Sequence, residues 1–193
     1  MPGQIDIHSA FGKIIYDLSK RLDVINIVEI GTWNGEGSTQ CILKAVDNSK
    51  NFYTIESSTE WYNKAIIFNK NYTEMSNVYF LLGSIVNQDE LYTDNLSHQE
   101  QDWLRQDIDN YSNVSDVYNK LPENIDFLLL DGGEFSTRAE FLKLKSRSKI
   151  IALDDCNCRK NKLNIKDLKE DNNFTLLYEN LKDRHGWAVF ERL

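Results

Sequence analysis

Short apolar runs rich in β-branched residues alternate with helix-like stretches along the chain, and this alternation limits the fold more than any other feature. The runs that predict strands are 24–31, 51–57, 78–86, 125–133, 149–155, 174–180 and 186–193. Such alternation is typical of parallel sheets with right-handed crossovers. The last two runs are too close for a crossover helix, so one of them must run antiparallel. We therefore predict an α/β fold: a three-layer, doubly wound, seven-stranded, mostly parallel sheet with a C-terminal antiparallel hairpin.

The length of 193 residues predicts a single domain, 1–193. Residues 1–23 are expected to form an N-terminal helical segment, with the amphipathic helix itself over 4–22, where it could cover a pocket or join a homodimer. Residues 87–120 interrupt the alternation with a strongly acidic stretch that carries Arg105 and Lys120 as its basic residues. We expect this stretch to be either a solvated crossover helix with long flanks or a lid or substrate wall above the sheet.

The composition excludes several classes of partner. The formal net charge is −8, from 22 Lys and Arg against 30 Asp and Glu, which argues against sequence-independent binding to nucleic acid or to an anionic membrane. No apolar run approaches the roughly 20 residues that span a bilayer. The three cysteines and the absence of a signal-peptide pattern favour a reducing compartment, so we expect a cytoplasmic protein.

Polar residues follow the first two predicted strands, at the end of the sheet where ligands bind in doubly wound folds. The first group runs from Glu29 to Ser38, with glycines at 31, 35 and 37. This spacing is neither a phosphate-binding GxxxxGK[ST] nor a GxGxxG pattern. Glu29 would repel a pyrophosphate but would suit a ligand that carries an ammonium group. Glu56 ends the second strand, where a carboxylate can accept hydrogen bonds from both hydroxyls of a ribose.

Together these residues resemble the class I S-adenosylmethionine-dependent methyltransferases, over nearly the whole chain. In that family an E-x-G-x-x-x-G loop binds the methionine part of the cofactor, and Glu29, Gly31 and Gly35 match it. The sequences around DGGEFSTRAEF (131–141) and LDD (153–155) are similar to a small bacterial branch that modifies sugars, polysaccharides or natural products. The resemblance implies S-adenosylmethionine as the cofactor. The residues implied to bind it are Glu29, Gly31, Thr32, Trp33, Gly35, Ser38, Glu56, Ser57, Gly83, Ser84, Asp131 and Gly132.

Three aspartates are expected to meet where the fourth and fifth strands end: Asp131, Asp154 and Asp155. Carboxylates this close repel one another unless protons or a cation neutralise them. Mg²⁺ is the natural counter-charge, with Asn157 as a substitute ligand. In the alternative without a metal, Asp131 receives the ammonium group of the cofactor and Asp155 caps the next helix.

The catalytic candidates are Asp131 and Glu134, because an acceptor hydroxyl has an ordinary pKa far above 7 and needs a base to take its proton or a metal ion to lower its pKa. His98 and His185 are alternatives to Glu134 as the base, and a helix N-cap is the structural alternative for Glu134. The basic run 159–162 either meets an anionic substrate or begins a solvated helix. Cys156 and Cys158 lack further ligands at zinc-site spacing, which argues against zinc.

We therefore predict a methyltransferase that acts on an oxygen of a small polar acceptor, with Mg²⁺ as a further requirement if the aspartates bind it. Two other hypotheses stay open at this point. One is a dehydrogenase that uses NAD, since a ribose carboxylate serves both folds. The other is a non-catalytic partner subunit that retains the cofactor pocket.

Overall fold

The computed structural model describes residues 5–193 and contains one seven-stranded sheet. Its strands are β1 (Asn26–Ile30), β2 (Asn51–Glu56), β3 (Val78–Leu82), β4 (Ile125–Leu130), β5 (Ser148–Asp154), β6 (Phe174–Asn180) and β7 (Trp187–Arg192). The strand order is β3-β2-β1-β4-β5-β7-β6. Strand β7 runs antiparallel to both β5 and β6, and the other pairs are parallel. The predicted sheet and its C-terminal hairpin are confirmed.

Over residues 5–193, seven α-helices connect or cover the strands: α1 (Ala10–Lys20), α2 (Ser38–Leu43), α3 (Thr59–Phe68), α4 (Lys70–Thr73), α5 (His98–Ser112), α6 (Thr137–Leu144) and α7 (Arg159–Glu170). Helix α1 begins later than predicted because Ser9 caps it, its hydroxyl accepting from the Gly12 N–H. Residues 1–4 of the predicted N-terminal segment lie outside the described residues. Within residues 5–193, no helix is both long and apolar enough to cross a membrane.

The central strands are buried on both faces, which explains their nearly continuous apolar sequence. On one face, Leu128 and Ile151 pack in a core with side chains from α6 and α7. On the other face, Phe127 and Ile150 pack with side chains from α1 and α2. Because successive side chains of a strand point to opposite faces, each central strand contributes to both cores.

The order of the strands reverses between β1 and β4. From β1 the chain proceeds outward through β2 to β3, and from β4 it proceeds in the other direction through β5. The helices that follow β1 and β4 therefore pack on opposite faces of the sheet. A crevice opens between the carboxyl ends of these two strands. Strand β4 ends at Leu130 and β5 at Asp154, so the acidic residues at 131 and at 154–155 lie at the rim of this crevice.

The acidic segment 87–120 contains α5 and returns to the sheet next to β3. Strand β3 ends at Leu82, four residues before the predicted end. Beyond it, the Ser84 N–H donates to the Ser115 carbonyl at 3.1 Å, and the Val117 N–H donates to the Ser84 carbonyl at 2.9 Å. The residues predicted to continue β3 therefore pair with the segment that follows α5.

Gly83 allows this close approach. A Cβ atom on Gly83 would lie 2.4 Å from Val117 Cγ1 and 2.6 Å from the Ser115 carbonyl oxygen. We expect Gly83→Ala to destabilise the protein by about 1–3 kcal/mol because the added methyl group overpacks this contact. Urea unfolding measures the change. Ser115→Ala, at an exposed position of the same segment, should stay within about 0.5 kcal/mol of the native protein; equal effects of the two substitutions would contradict the explanation.

Candidate active site

A cavity of about 590 Å³ lies at the carboxyl ends of the strands, within the size range of small-molecule sites. Most of the residues predicted to bind a cofactor line it: Gly31, Thr32, Trp33, Ser38, Glu56, Ser57, Gly83, Ser84, Asp131 and Gly132. Glu29 and Gly35 are not among the lining residues. The tertiary structure therefore separates the predicted set into residues that face the cavity and residues behind them.

Glu29 lies behind the cavity wall and is fully buried. Its carboxylate accepts hydrogen bonds from the hydroxyls of Ser38 (2.6 Å), Thr39 (2.7 Å) and Thr54 (2.6 Å). Burial raises the pKa of Glu29 to about 7, although these hydroxyl groups oppose the shift. Glu29 thus joins β1, β2 and the start of α2, and it supports the loop from inside.

The first two glycines of the loop are required by the packing of the protein itself. Gly31 has φ +99°, and a Cβ there would lie 2.2 Å from the Asp131 carbonyl oxygen. Gly35 has φ +75°, and a Cβ there would lie 2.2 Å from Asn69 Nδ2. Both conditions exclude larger residues. These two glycines therefore bring the loop against the end of β4 and the end of α3.

Glu56 is held in place by the backbone of the loops that follow β1 and β2. One carboxylate oxygen accepts from the Trp33 N–H and the other accepts from the Ser58 N–H, each at 2.8 Å. Burial raises the pKa of Glu56, opposed by these backbone hydrogen bonds. Each carboxylate oxygen keeps acceptor capacity, and the residue lines the cavity. Glu56 can therefore accept hydrogen bonds from a ligand without rearrangement.

Two tryptophans form an aromatic wall beside Glu56. The rings of Trp33 and Trp61 have their centroids 5.1 Å apart, and both residues line the cavity. Trp33 has a left-handed backbone with φ +48°, which is uncommon outside glycine. The Nζ of Lys64 lies over the Trp61 ring, 3.9 Å from its centroid, and stabilises the ring by a cation–π contact.

Helix α5, from the acidic segment, forms the opposite wall. Gln106, Asp107, Asn110 and Tyr111 all line the cavity. Burial raises the pKa of Asp107 to about 6 and that of the Tyr111 hydroxyl well above its usual range. The spacing of these residues along one helix face was the available signal in the sequence, but nothing in it showed that this face meets the strand ends.

Asp131, Asp154 and Asp155 do come together, with carboxylate oxygens within 4.8 Å of one another. The ammonium group of Lys160 lies among them, with Nζ 2.7 Å from Asp131 Oδ1 and 2.8 Å from Asp155 Oδ2. The guanidinium of Arg184, in the hairpin turn, pairs with Asp154. Burial would lower the pKa of Lys160, but the carboxylates outweigh it and raise the pKa. Lys160, expected either to meet an anionic substrate or to begin a solvated helix, does begin α7 but is buried against the aspartates.

Glu134 and Asn157 point to other partners. Glu134 Oε1 accepts the Lys160 backbone N–H at 3.3 Å, so Glu134 caps α7, and it does not line the cavity. Asn157 Nδ2 donates to the Leu181 carbonyl at 2.8 Å. Arg159, the first basic residue of the run 159–162, forms an ion pair with Glu100 of α5. Neither His98, at the start of α5, nor His185, in the hairpin turn, lines the cavity.

Glu140 of α6 is a cavity residue that sequence reasoning missed. It is 3% exposed, and its Oε2 has no hydrogen-bond partner among the described residues. Burial raises the pKa of Glu140 to about 8, so its carboxyl group is mostly protonated at neutral pH. Only the folded helix shows that this side chain lies beneath Gly132, where a Cβ would be 3.0 Å from Oε2.

Among the described residues that line the cavity, every member of the five ionisable types Asp, Glu, His, Lys and Arg is an Asp or a Glu. The set is Glu56, Asp107, Asp131, Glu140, Asp154 and Asp155. A concave site with one sign of charge raises the local concentration of ligands of the opposite sign. The cavity therefore favours a cationic ligand and disfavours an anionic one such as a pyrophosphate.

The raised pKa of Glu140 makes stability depend on pH. The folded carboxyl titrates near 8 and the unfolded one near 4.5, so the folded state holds the proton between these values and stability falls as pH rises from about 5 to 8. We expect Glu140→Gln to weaken this fall, as measured by urea unfolding at several pH values. Glu123→Gln, at an exposed position, should leave the slope unchanged; a slope unaltered by Glu140→Gln would contradict the assignment.

This chain resembles known proteins in structure and not in sequence. No family model matches it, and no curated protein is significantly similar to it in sequence. Solved structures do match. An O-methyltransferase from Bacillus cereus in complex with SAH is 16% identical, with a TM-score of 0.67 over 98% of this chain and 84% of that chain.

Two further structures match in the same way. The O-methyltransferase TomG from Streptomyces achromogenes, involved in tomaymycin synthesis and solved with SAM, is 13% identical, with a TM-score of 0.64 over 97% of this chain and 82% of that chain. The SAH-bound methyltransferase PaMTH1 from Podospora anserina is 14% identical, with a TM-score of 0.63 over 95% and 78% of the two chains. This chain has the Rossmann-like fold of the class I methyltransferases, as the resemblance predicted.

Proposed function

We propose that this protein transfers the methyl group of S-adenosylmethionine to an oxygen of a small polar acceptor. The observation that carries the proposal is the acidic cavity at the switch point of a methyltransferase fold. Structures with the same fold were solved with SAM or SAH. S-Adenosylmethionine is a cation with an ammonium and a sulfonium group, so its charge suits the cavity.

The residues around the cavity fit this cofactor. Glu56 keeps free acceptor capacity for the ribose hydroxyls, with its carboxylate oriented by Trp33 and Ser58. Asp131 lies at the end of β4 beside the glycine loop and would receive the ammonium group. When bound, the cofactor supplies a methyl group that is already activated. The contribution of the protein is therefore alignment and exclusion of water.

The acidic lining also favours certain acceptors. Arg159 and Lys160 are engaged by Glu100 and by the aspartates, so this part of the basic run is not free to bind an anionic substrate. We propose a neutral or cationic acceptor, such as a sugar, an amino sugar or a related natural product. The same lining disfavours the dehydrogenase hypothesis, because the pyrophosphate of NAD would face carboxylates.

The acceptor hydroxyl needs a group to take its proton as the new bond to oxygen forms. Asp155 lines the cavity, and its Oδ1 is buried without a hydrogen-bond partner among the described residues. We place it ahead of Glu134, whose carboxylate caps α7. Asp131 remains a proposed catalytic residue beside Asp155. As the side chains stand, the aspartates do not fit Mg²⁺, because the Lys160 ammonium already contacts two of them, so we assign no step to a metal.

The first test of this function is calorimetric titration with S-adenosylhomocysteine. A hydrogen bond to a charged group contributes about 1.5–3 kcal/mol, so Glu56→Gln should weaken binding by about 10–100-fold. Glu60→Gln, an exposed position on α3, serves as the control and should bind like the native protein. No binding by the native protein would contradict the cofactor assignment, and NADH could then be titrated in its place.

The second test separates the acceptor side from the cofactor side. We expect Asp155→Asn to lower turnover by about 10²-fold or more, the usual contribution of a positioned base, with S-adenosylhomocysteine binding nearly unchanged. Turnover is followed as S-adenosylhomocysteine release with a panel of sugars, amino sugars and catechols. Full activity in Asp155→Asn combined with loss in Glu134→Gln would reverse the choice of base.

A further inference from the structure

Lys160 occupies the middle of the aspartate cluster. Its side chain is 6% exposed, and its ammonium group contacts Asp131 from the end of β4 and Asp155 from the end of β5. The three carboxylates lie close enough together to hold a divalent ion. The ammonium group therefore engages two of the three carboxylates that could bind such an ion.

The backbone around Lys160 fixes this position. Its N–H donates to Glu134 Oε1, and the Nδ2 of the next residue, Asn161, donates to the carbonyls of Leu130 (3.1 Å) and Asp154 (2.6 Å). Those carbonyls belong to the last residues of β4 and β5. The start of α7 is thereby attached to both strand ends, so the lysine is placed by the packing of the fold.

Arg184 supplies the positive charge for the third aspartate of the cluster. It pairs with Asp154, the aspartate that Lys160 does not contact within 4 Å. Asp154 is 3% exposed, and an unpaired carboxylate buried to this degree would be costly. Lys160 and Arg184 together carry two positive charges, which is the charge of one Mg²⁺.

We propose that Lys160, supported by Arg184, replaces the divalent metal ion at this site, so that the cluster binds no Mg²⁺. Lys160 does not line the cavity. Asp131 and Asp155 do line it, so Lys160 is a positioning residue that acts through these two aspartates. The proposal rests on the proposed function only where turnover is measured. Metal binding can be measured whether or not the protein is a methyltransferase.

Removing the ammonium group should expose the carboxylates to a metal ion. Lys160→Met keeps an unbranched side chain, one atom shorter and without charge, and leaves Arg184 as the cation still paired with the cluster. Like charges at this distance repel one another, and hard divalent cations prefer such oxygen ligands. The variant should therefore acquire a metal site that the native protein lacks.

The experiment titrates Mn²⁺, as a substitute for Mg²⁺, into the full chain by calorimetry and electron paramagnetic resonance. We expect the native protein to bind more weakly than about 1 mM, the weak limit of protein sites for such cations. Lys160→Met should bind one Mn²⁺ at least about tenfold more tightly, while Lys160→Arg, which keeps the charge, should not gain binding. Turnover of the native protein should be insensitive to EDTA.

Lys50→Met is the matched control. Lys50 is also buried, but its ammonium donates to the backbone carbonyls of Arg21 and Val24. This variant loses a buried lysine of the same kind and should gain no Mn²⁺ binding. A gain in both variants would mean that loosening of the fold, and not the cluster, creates the site, and would overturn the proposal.

Two other results would overturn it. One is stoichiometric Mn²⁺ binding by the native protein well below 1 mM, or loss of its turnover in EDTA. The other is no gain by Lys160→Met while its circular dichroism spectrum stays native. If that variant does not fold, the native titration still decides the question. Absence of S-adenosylhomocysteine binding with no Mn²⁺ binding would reject the proposed function but leave the role of Lys160 intact.

Discussion

The contact between Lys160 and the aspartates that follow β4 and β5 is the interaction on which the rest of the site depends. Parallel strands bring their carboxyl ends to one edge, and in this chain those ends carry acidic residues. Without internal cations, this many carboxylates around one cavity would repel one another. Lys160 and Arg184 relieve the repulsion from behind, which leaves the cavity itself acidic.

A second layer of residues holds the cavity wall in place without facing it. Glu29 accepts hydrogen bonds from three hydroxyls, and Gly31 allows the loop to contact the backbone of Asp131. Asn161 binds the carbonyls at the ends of β4 and β5. These contacts preorganise Glu56 and Asp131, which agrees with a reaction in which alignment is the main task of the protein.

Much of the fold could be predicted from the sequence because each strand had a strong local signal. The continuous apolar runs at 127–130 and 150–153 are typical of central parallel strands, and the short spacing before β7 required a hairpin. The predicted end of β3 was wrong because Ile85 and Val86 are buried without being part of a strand, in a core that also contains Val117 from the segment after α5. Tertiary contacts gave those residues another way to be buried.

The sequence by itself determined the order of the elements and the placement of acidic residues at the strand ends, since both follow from local periodicity. Which of those residues face the cavity was decided only by the tertiary structure. Glu29 shares the α2 side of the sheet with Ile27, so its carboxylate meets Ser38 and Thr39. The contact of Lys160 with Asp131 spans 29 positions, and no local pattern encodes it. Ion pairs between residues so far apart in the sequence form only when the helix packs against the sheet.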